Sequence, residues 1–334
     1  MKVLSLFSGA GGLDLGFEKA GFEIVAANEI DSICYETFEH NFPKTKLFKK
    51  SIIDLKSSEI PKKIDGIIGG PPCQSWSEAG NQLGIKDPRG KLFYEYMRMI
   101  KEIKPKFFLA ENVSGILHKK HDKAFKNIIK NFGELGYDII YKMLDASDYD
   151  VPQNRKRVFI IGIKKTLKKK FLFPLIDLFK TPKTLKDAIS DINFAIAAKP
   201  KNKTNEIFFK GNQIPNNEYM TGSFSSIYMS RNRVRSWEEP SFTIQAGGRH
   251  APIHPDAPKM IKIEKDKFIF LKKKLKQYRR LSVRECARIQ TFPDSFLFKY
   301  NNIADGYKMI GNAVPVRLSM ILAKEIKQQI LNKL

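Results

Sequence analysis

"VLSLFSGAGGLDLGF", residues 3–17, decides the fold. Val3 to Phe7 read as a strand, Gly9, Gly11 and Gly12 follow, and Leu13, Phe17 and Ala20 then recur along one side of a helix. A strand that passes through glycines into a helix is the first half of a βαβ unit. Its backbone can approach a ligand closely, and its helix N-terminus favours negative charge. The same alternation continues outward, with strands expected at Glu23–Ala27, Gly66–Ile68, Phe107–Ala110, Asp138–Leu144 and Arg157–Ile163. "KLFYEYMRMIKEI", residues 91–103, sets Phe93, Met97, Met99, Ile100 and Ile103 on a broad helical face that Pro105 ends. This predicts an α/β fold: a doubly wound, Rossmann-like domain over a parallel sheet.

The pattern changes beyond it. Residues 176–280 hold one short helical stretch in "KTPKTLKDAISDI" and are otherwise rich in Asn, Pro and Lys, which predicts a smaller, loop-rich second domain. "SVRECARIQTFP", residues 282–293, reads as a capped helix, and "PVRLSMILAKEIKQQILNKL", residues 315–334, as a terminal amphipathic one. The expected division is therefore 1–175 plus 281–334 for the first domain and 176–280 for the second.

Composition narrows the function. The 334 residues carry 59 Lys and Arg against 35 Asp and Glu, a net charge of +24, which suits a polyanionic partner or a lysine-rich surface. Cys34, Cys73 and Cys286 are too few and too scattered for a disulfide framework, and without CxxC or HxxxH spacing no metal site is expected. No apolar run approaches the roughly 18 residues of a membrane span, so the protein reads as cytoplasmic with no membrane partner.

Two places gather chemistry. Beyond the second strand stands Glu29, 18 residues after Gly11, where a carboxylate can accept hydrogen bonds from both ribose hydroxyls of a nucleoside cofactor. The glycines at 9, 11, 12 and 16 break the GxGxxG pattern of dinucleotide sites, and S-adenosylmethionine, which has no pyrophosphate, tolerates that departure better. "GGPPCQSWSEAG", residues 69–80, puts Cys73 at the carboxyl edge of the sheet. "KFFLAEN" delivers Glu111 to the same edge, and "PQNRKRVF" brings Arg155 and Arg157. A lone cysteine is usually a small buried hydrophobe, but positive charge beside an irregular loop favours the thiolate.

"FSGAGG", "GGPPCQSWS", "AENV", "QNRKR", "RRLSVRECARIQTFP" and "GYKMIGNAVPV" occur in the order found in the bacterial DNA cytosine-5 methyltransferases, which the chain resembles over nearly its whole length. Residues 217–249 also resemble the recognition region of the subgroup that methylates GGCC. The resemblance implies that the Cys73 thiolate adds to carbon 6 of a flipped cytosine while Glu111 holds or protonates ring nitrogen 3, and that Arg155 and Arg157 orient the base. It implies an S-adenosylmethionine pocket of Phe7, Gly9, Ala10, Gly11, Glu29, Ile30, Ile53, Pro72, Leu92 and Asn312, with S-adenosylhomocysteine as product. It also implies a moving loop over residues 74–91 with Ser77 and Arg89 near the DNA backbone, and a companion restriction endonuclease. Monomeric action is the default expectation.

Two departures stand out. The family's Asp for the adenine amino group is replaced by Ile52 in "KKSIIDLK"; either a shifted loop supplies Asp54, or backbone alone holds the group. Where the GGCC subgroup usually continues Gly-Arg with Gln-Cys, this chain has His250 and Ala251. Arg231, Arg233, Arg235 and Arg249 are the expected contacts to double-stranded DNA, through guanine edges or through phosphates. An RNA cytosine methyltransferase, a dinucleotide-dependent oxidoreductase and a catalytically inactive DNA-binding regulator are the alternatives. The second domain, the broken glycine pattern and the intact Cys73, Glu111 and Arg155 speak against them in turn.

Overall fold

The computed structural model describes residues 1–72, 88–177, 179–192, 194–204 and 214–331. These form two compact units. The first comprises 1–145, 156–176 and the chain from 318, and the second comprises 146–155 and 177–317.

The first unit alternates β1 (Lys2–Leu6), α1 (Gly12–Lys19), β2 (Glu23–Glu29), α2 (Tyr35–Asn41), β3 (Lys46–Lys49), β4 (Gly66–Gly69), α3 (Pro88–Ile103), β5 (Phe107–Val113), α4 (Asp122–Glu134), β6 (Tyr137–Asp145) and β7 (Lys156–Lys164). Its seven-stranded sheet runs β3-β2-β1-β4-β5-β7-β6. Strands β1 to β5 pair in parallel, whereas β7 runs antiparallel to both β5 and β6, which corrects the expected all-parallel sheet at one strand. An antiparallel return needs no crossover helix, and none stands between β6 and β7. Neighbouring residues of β5 face opposite ways. Phe107 stacks with Phe17 of α1 at 6.3 Å, and Phe108 with Phe132 of α4 at 4.4 Å, so the sheet is covered on both sides. Strand order reverses between β1 and β4, the kind of switch point at whose carboxyl edge open α/β sheets bind ligands.

The second unit contains α5 (Leu185–Ile189), the paired β8 (Ile196–Ala197) and β9 (Glu218–Tyr219), the hairpin β10 (Ile261–Glu264) and β11 (Lys267–Ile269), then α6 (Val283–Ile289), α7 (Ile303–Asn312) and the start of α8 (Val316–Ile326). Residues 281–317, which the sequence pattern assigns to the first domain, pack with this unit instead. Buried side chains explain it. Arg284 donates to the carbonyls of Pro215, Pro293 and Phe296, and the Tyr307 hydroxyl donates to the carbonyl of Leu281 while accepting from the Met220 amide. The expected cap on α6 is present. Ser282 Oγ accepts from the Glu285 amide at 3.0 Å, and the Glu285 carboxylate accepts from the Ser282 amide at 2.7 Å. No helix of the described residues is long and apolar enough to cross a membrane.

Candidate active site

The glycine loop is built by backbone conformation. Phe7, at the end of β1, has φ 56°, a left-handed geometry that costs a non-glycine residue about 1–3 kcal/mol and is concentrated at functional sites. At Gly9, φ is also 56°, and an added Cβ would meet nothing within 4 Å, so this glycine borders open space. Ala10 is buried, and α1 starts after Gly11 without a side-chain cap, leaving amides directed at the loop.

Glu29 closes the loop from β2. Its Oε2 accepts from the Gly9 amide at 2.7 Å, and its Oε1 accepts from the amides of Ile30 and Asp31 at 2.8 Å each. Burial pushes its pKa up, and the three amides oppose that rise. With about four lone-pair sites on a carboxylate, these bonds leave room for roughly one more donor. Two isoleucines of the same unit are unusually exposed, Ile30 at 63 % and Ile53 at 59 %, while Pro72 and Leu92 are half-buried. Ile52 is turned into the core, its carbonyl held by Arg98 Nη2 at 2.9 Å, and Asp54 is exposed. Ile52 thus offers no polar side-chain group at this turn. Open space at Gly9, an uncapped helix start, a buried carboxylate and exposed apolar side chains fit a nucleoside that carries an amino-acid tail.

The second cluster of this unit centres on Glu111 in β5. Arg157 Nε in β7 lies 3.0 Å from Glu111 Oε1, both side chains being mostly buried. Glu111 Oε2 would lie 3.2 Å from a Cβ on Gly70, so the glycine lets the carboxylate approach the turn after β4. Asn112 fastens that turn by donating to the Pro71 carbonyl at 3.2 Å. Its place in "AENV" is visible in the sequence, but this role is not. Cys73 and Ser77 lie outside the described residues, as does the side chain of Arg89, whose backbone opens α3.

Arg155 belongs to the second unit and is 1 % exposed. Its guanidinium donates to the carbonyls of Ile244, Gly311 and Ala313 at 2.9, 2.9 and 3.0 Å, which braces the turn carrying the exposed Asn312.

The four expected DNA contacts separate by what they touch. Arg231 and Arg249 are exposed. Arg233 is buried, stacks on Tyr228 at 4.7 Å and donates to the carbonyls of Tyr228 and Ile227. Arg235 stacks on Phe242 at 4.3 Å and pairs with Glu239 at 2.7 Å. Arg280 does not stand out in the sequence. It stacks on Phe224 at 3.9 Å and donates to the carbonyls of Gly222 and Ser223, and its only signal is the Arg pair opening "RRLSVREC". His250 registers the resulting field: burial first, then Arg233, Arg249, Arg280 and Arg231, hold its pKa below the usual histidine range. Among the described residues no group of three or more His, Cys, Asp or Glu gathers as a metal site would require.

Residues 1–328 match the profile described as C-5 cytosine-specific DNA methylase. The chain is 58 % identical over 335 residues to the type II methyltransferase M.FnuDI of Fusobacterium nucleatum, covering 100 % of this chain and 96 % of that one. It is also 58 % identical over 330 residues to the type II methyltransferase M.MthTI of Methanothermobacter thermautotrophicus, covering 99 % and 98 %. Among solved structures, a protein described as a DNA modification methyltransferase encoded within a prophage (E. coli) superposes with a TM-score of 0.73 at 27 % identity, over 99 % of this chain and 100 % of that one.

Proposed function

The chain belongs to the C-5 cytosine-specific DNA methylase family, and from that premise we propose that it is the modification enzyme of a type II restriction system. It would methylate carbon 5 of a flipped cytosine in a short, GGCC-like duplex site. The names of its relatives support the type II context and, with it, a companion endonuclease. The likeness of residues 217–249 to the GGCC subgroup supports the site.

S-adenosylmethionine supplies an electrophilic methyl group and leaves as S-adenosylhomocysteine. Phe7, Gly9, Ala10 and Gly11 would line its methionine end with Asn312, Glu29 would accept from the ribose, and Ile30, Ile53, Pro72 and Leu92 would wall the base. Carbon 5 of cytosine is a poor nucleophile, so the ring must be activated from carbon 6. The Cys73 thiolate forms a bond to carbon 6, and the ring electrons move toward nitrogen 3, where Glu111 holds or delivers a proton. Carbon 5 then takes the methyl group. Loss of the carbon 5 proton re-forms the ring double bond and expels the thiolate. Attack above the ring face requires the base to leave the helix. Arg157 holds Glu111, and Arg155 acts through the turn it braces. Arg231 and Arg249 would meet DNA, a role that their exposure supports, with Arg233 and Arg235 shaping the segment between them. Ser77 and Arg89 would meet the backbone near the flipped base, and one chain suffices for one base.

The single observation that carries this reading is the Glu111–Arg157 pair at 3.0 Å, set against Gly70 on the turn that leads to Cys73. Bisulfite sequencing of a mixed-sequence plasmid treated with protein and S-adenosylmethionine tests it. Protection at one recurring cytosine-containing site, abolished in Cys73→Ala, is expected. Protection on transfer RNA but not on duplex DNA would overturn it.

A further inference from the structure

The β10–β11 hairpin and the turn after it have no part in the chemistry above. Residues 259–276 contain eight lysines and only two acidic residues, Glu264 and Asp266. Every one of these lysines is exposed. A few lysines elsewhere pair with acids, as Lys49 does with Glu39, Lys50 with Glu59 and Lys106 with Asp65, but they are spread along the chain, whereas these eight fall within 18 residues. Here Lys267 alone has an acidic partner among the described residues, Glu264 at 3.1 Å.

An isolated two-stranded hairpin is marginally stable, but this one is fastened by aromatic rings. Phe270 lies 4.3 Å from Tyr278 and 4.9 Å from Phe224, and Phe224 lies 5.0 Å from Tyr228. Tyr228 carries the stacked Arg233 and donates to the Ala251 carbonyl at 2.7 Å, so one ladder joins the hairpin to the segments bearing Arg231 and Arg249. The aromatics supply the packing. The lysines add self-repulsion on a fixed arm, a cost that a polyanion would relieve.

We propose that this arm grips the phosphate backbone of duplex DNA flanking the target site, beyond the stretch that Arg231 and Arg249 would meet. The inference rests on the duplex-DNA reading above and goes beyond it by assigning a second contact surface. Phosphate contacts supply affinity without sequence information and reveal themselves in salt dependence.

The test compares wild type with a variant carrying Lys262, Lys265, Lys272 and Lys274→Gln. A control removes the same charge from exposed positions of the first unit: Lys19, Lys101, Lys168 and Lys170→Gln. Binding is measured against salt on GGCC-containing duplexes of about 12 and about 40 base pairs. On the long duplex the slope of log K against log salt should flatten by about 0.9 for each phosphate no longer neutralised, so by about 2–4 in the hairpin variant. The short duplex should show no change, and the control should match wild type on both. An unchanged slope on the long duplex, or equal flattening in the control, would overturn the arm. If no protein transfers methyl groups while the hairpin effect persists, the arm stands and the enzymatic reading falls.

Discussion

Asp14, on the first turn of α1 directly behind the glycine loop, is 0 % exposed, and burial above all pushes its pKa up to about 7. Its folded pKa lies above its unfolded one, so the native state keeps the proton longer. The cost of burial is small below pH 4, grows as pH rises through the interval to 7, and then levels off. At its plateau the penalty is at most about 4 kcal/mol. Asp14→Asn keeps the shape and never ionises. It should therefore stabilise the protein at pH 8 more than at pH 5, by about 2–3 kcal/mol in denaturant titrations; an equal effect at both values would contradict the burial argument. Glu111, paired with Arg157, is the carboxylate set against the turn after β4. If it serves nitrogen 3 of the base, Glu111→Gln should lower kcat by about 10²–10⁴-fold with little change in the KM for DNA. A rise in KM with kcat intact would make it a binding residue only.

At the scale of the element, the segment from 227 to 250 shows why arginines cannot be ranked by composition. Arg231 and Arg249 are exposed to solvent, whereas Arg233 is buried against Tyr228 and bound to two carbonyls. Arg231→Ala and Arg249→Ala should each weaken DNA binding by about 1–3 kcal/mol while leaving the melting temperature nearly unchanged. Arg233→Ala should lower the melting temperature, because it removes packing as well as charge and takes the guanidinium donor from the buried Tyr228 carbonyl. The opposite pattern in paired melting and binding measurements would reverse these roles. The strands differ in the same way. β5 and β7 were legible because buried strands write long apolar runs, but such a run looks the same in either direction, so the antiparallel sense of β7 was not. "KLFK" buries only Phe48 between lysines and leaves no run to read, as expected of an edge strand. Gly306 and Gly311 hid α7, since glycine weakens any helical pattern.

Across the whole molecule, the two motif loops after β1 and β4 leave a sheet whose order reverses between them, and that is why distant motifs can act together within the first unit. Local sequence carried this much, because a glycine turn and the motif around it are written in adjacent residues. It did not show that residues 281–317 pack with the second unit, since that choice depends on partners such as Arg284 and Pro215, 69 residues apart. If Cys73 bonds to carbon 6 of an extruded cytosine, the bond can be trapped. A GGCC duplex with 5-fluorocytosine at the target has no carbon 5 proton to lose, so methyl transfer should leave the thiol attached. Mass spectrometry of the denatured complex should then find a cofactor-dependent adduct on the peptide containing Cys73, absent from Cys73→Ala. Methylation of ordinary DNA by the Cys73→Ala protein, with no adduct in the wild type, would contradict the account.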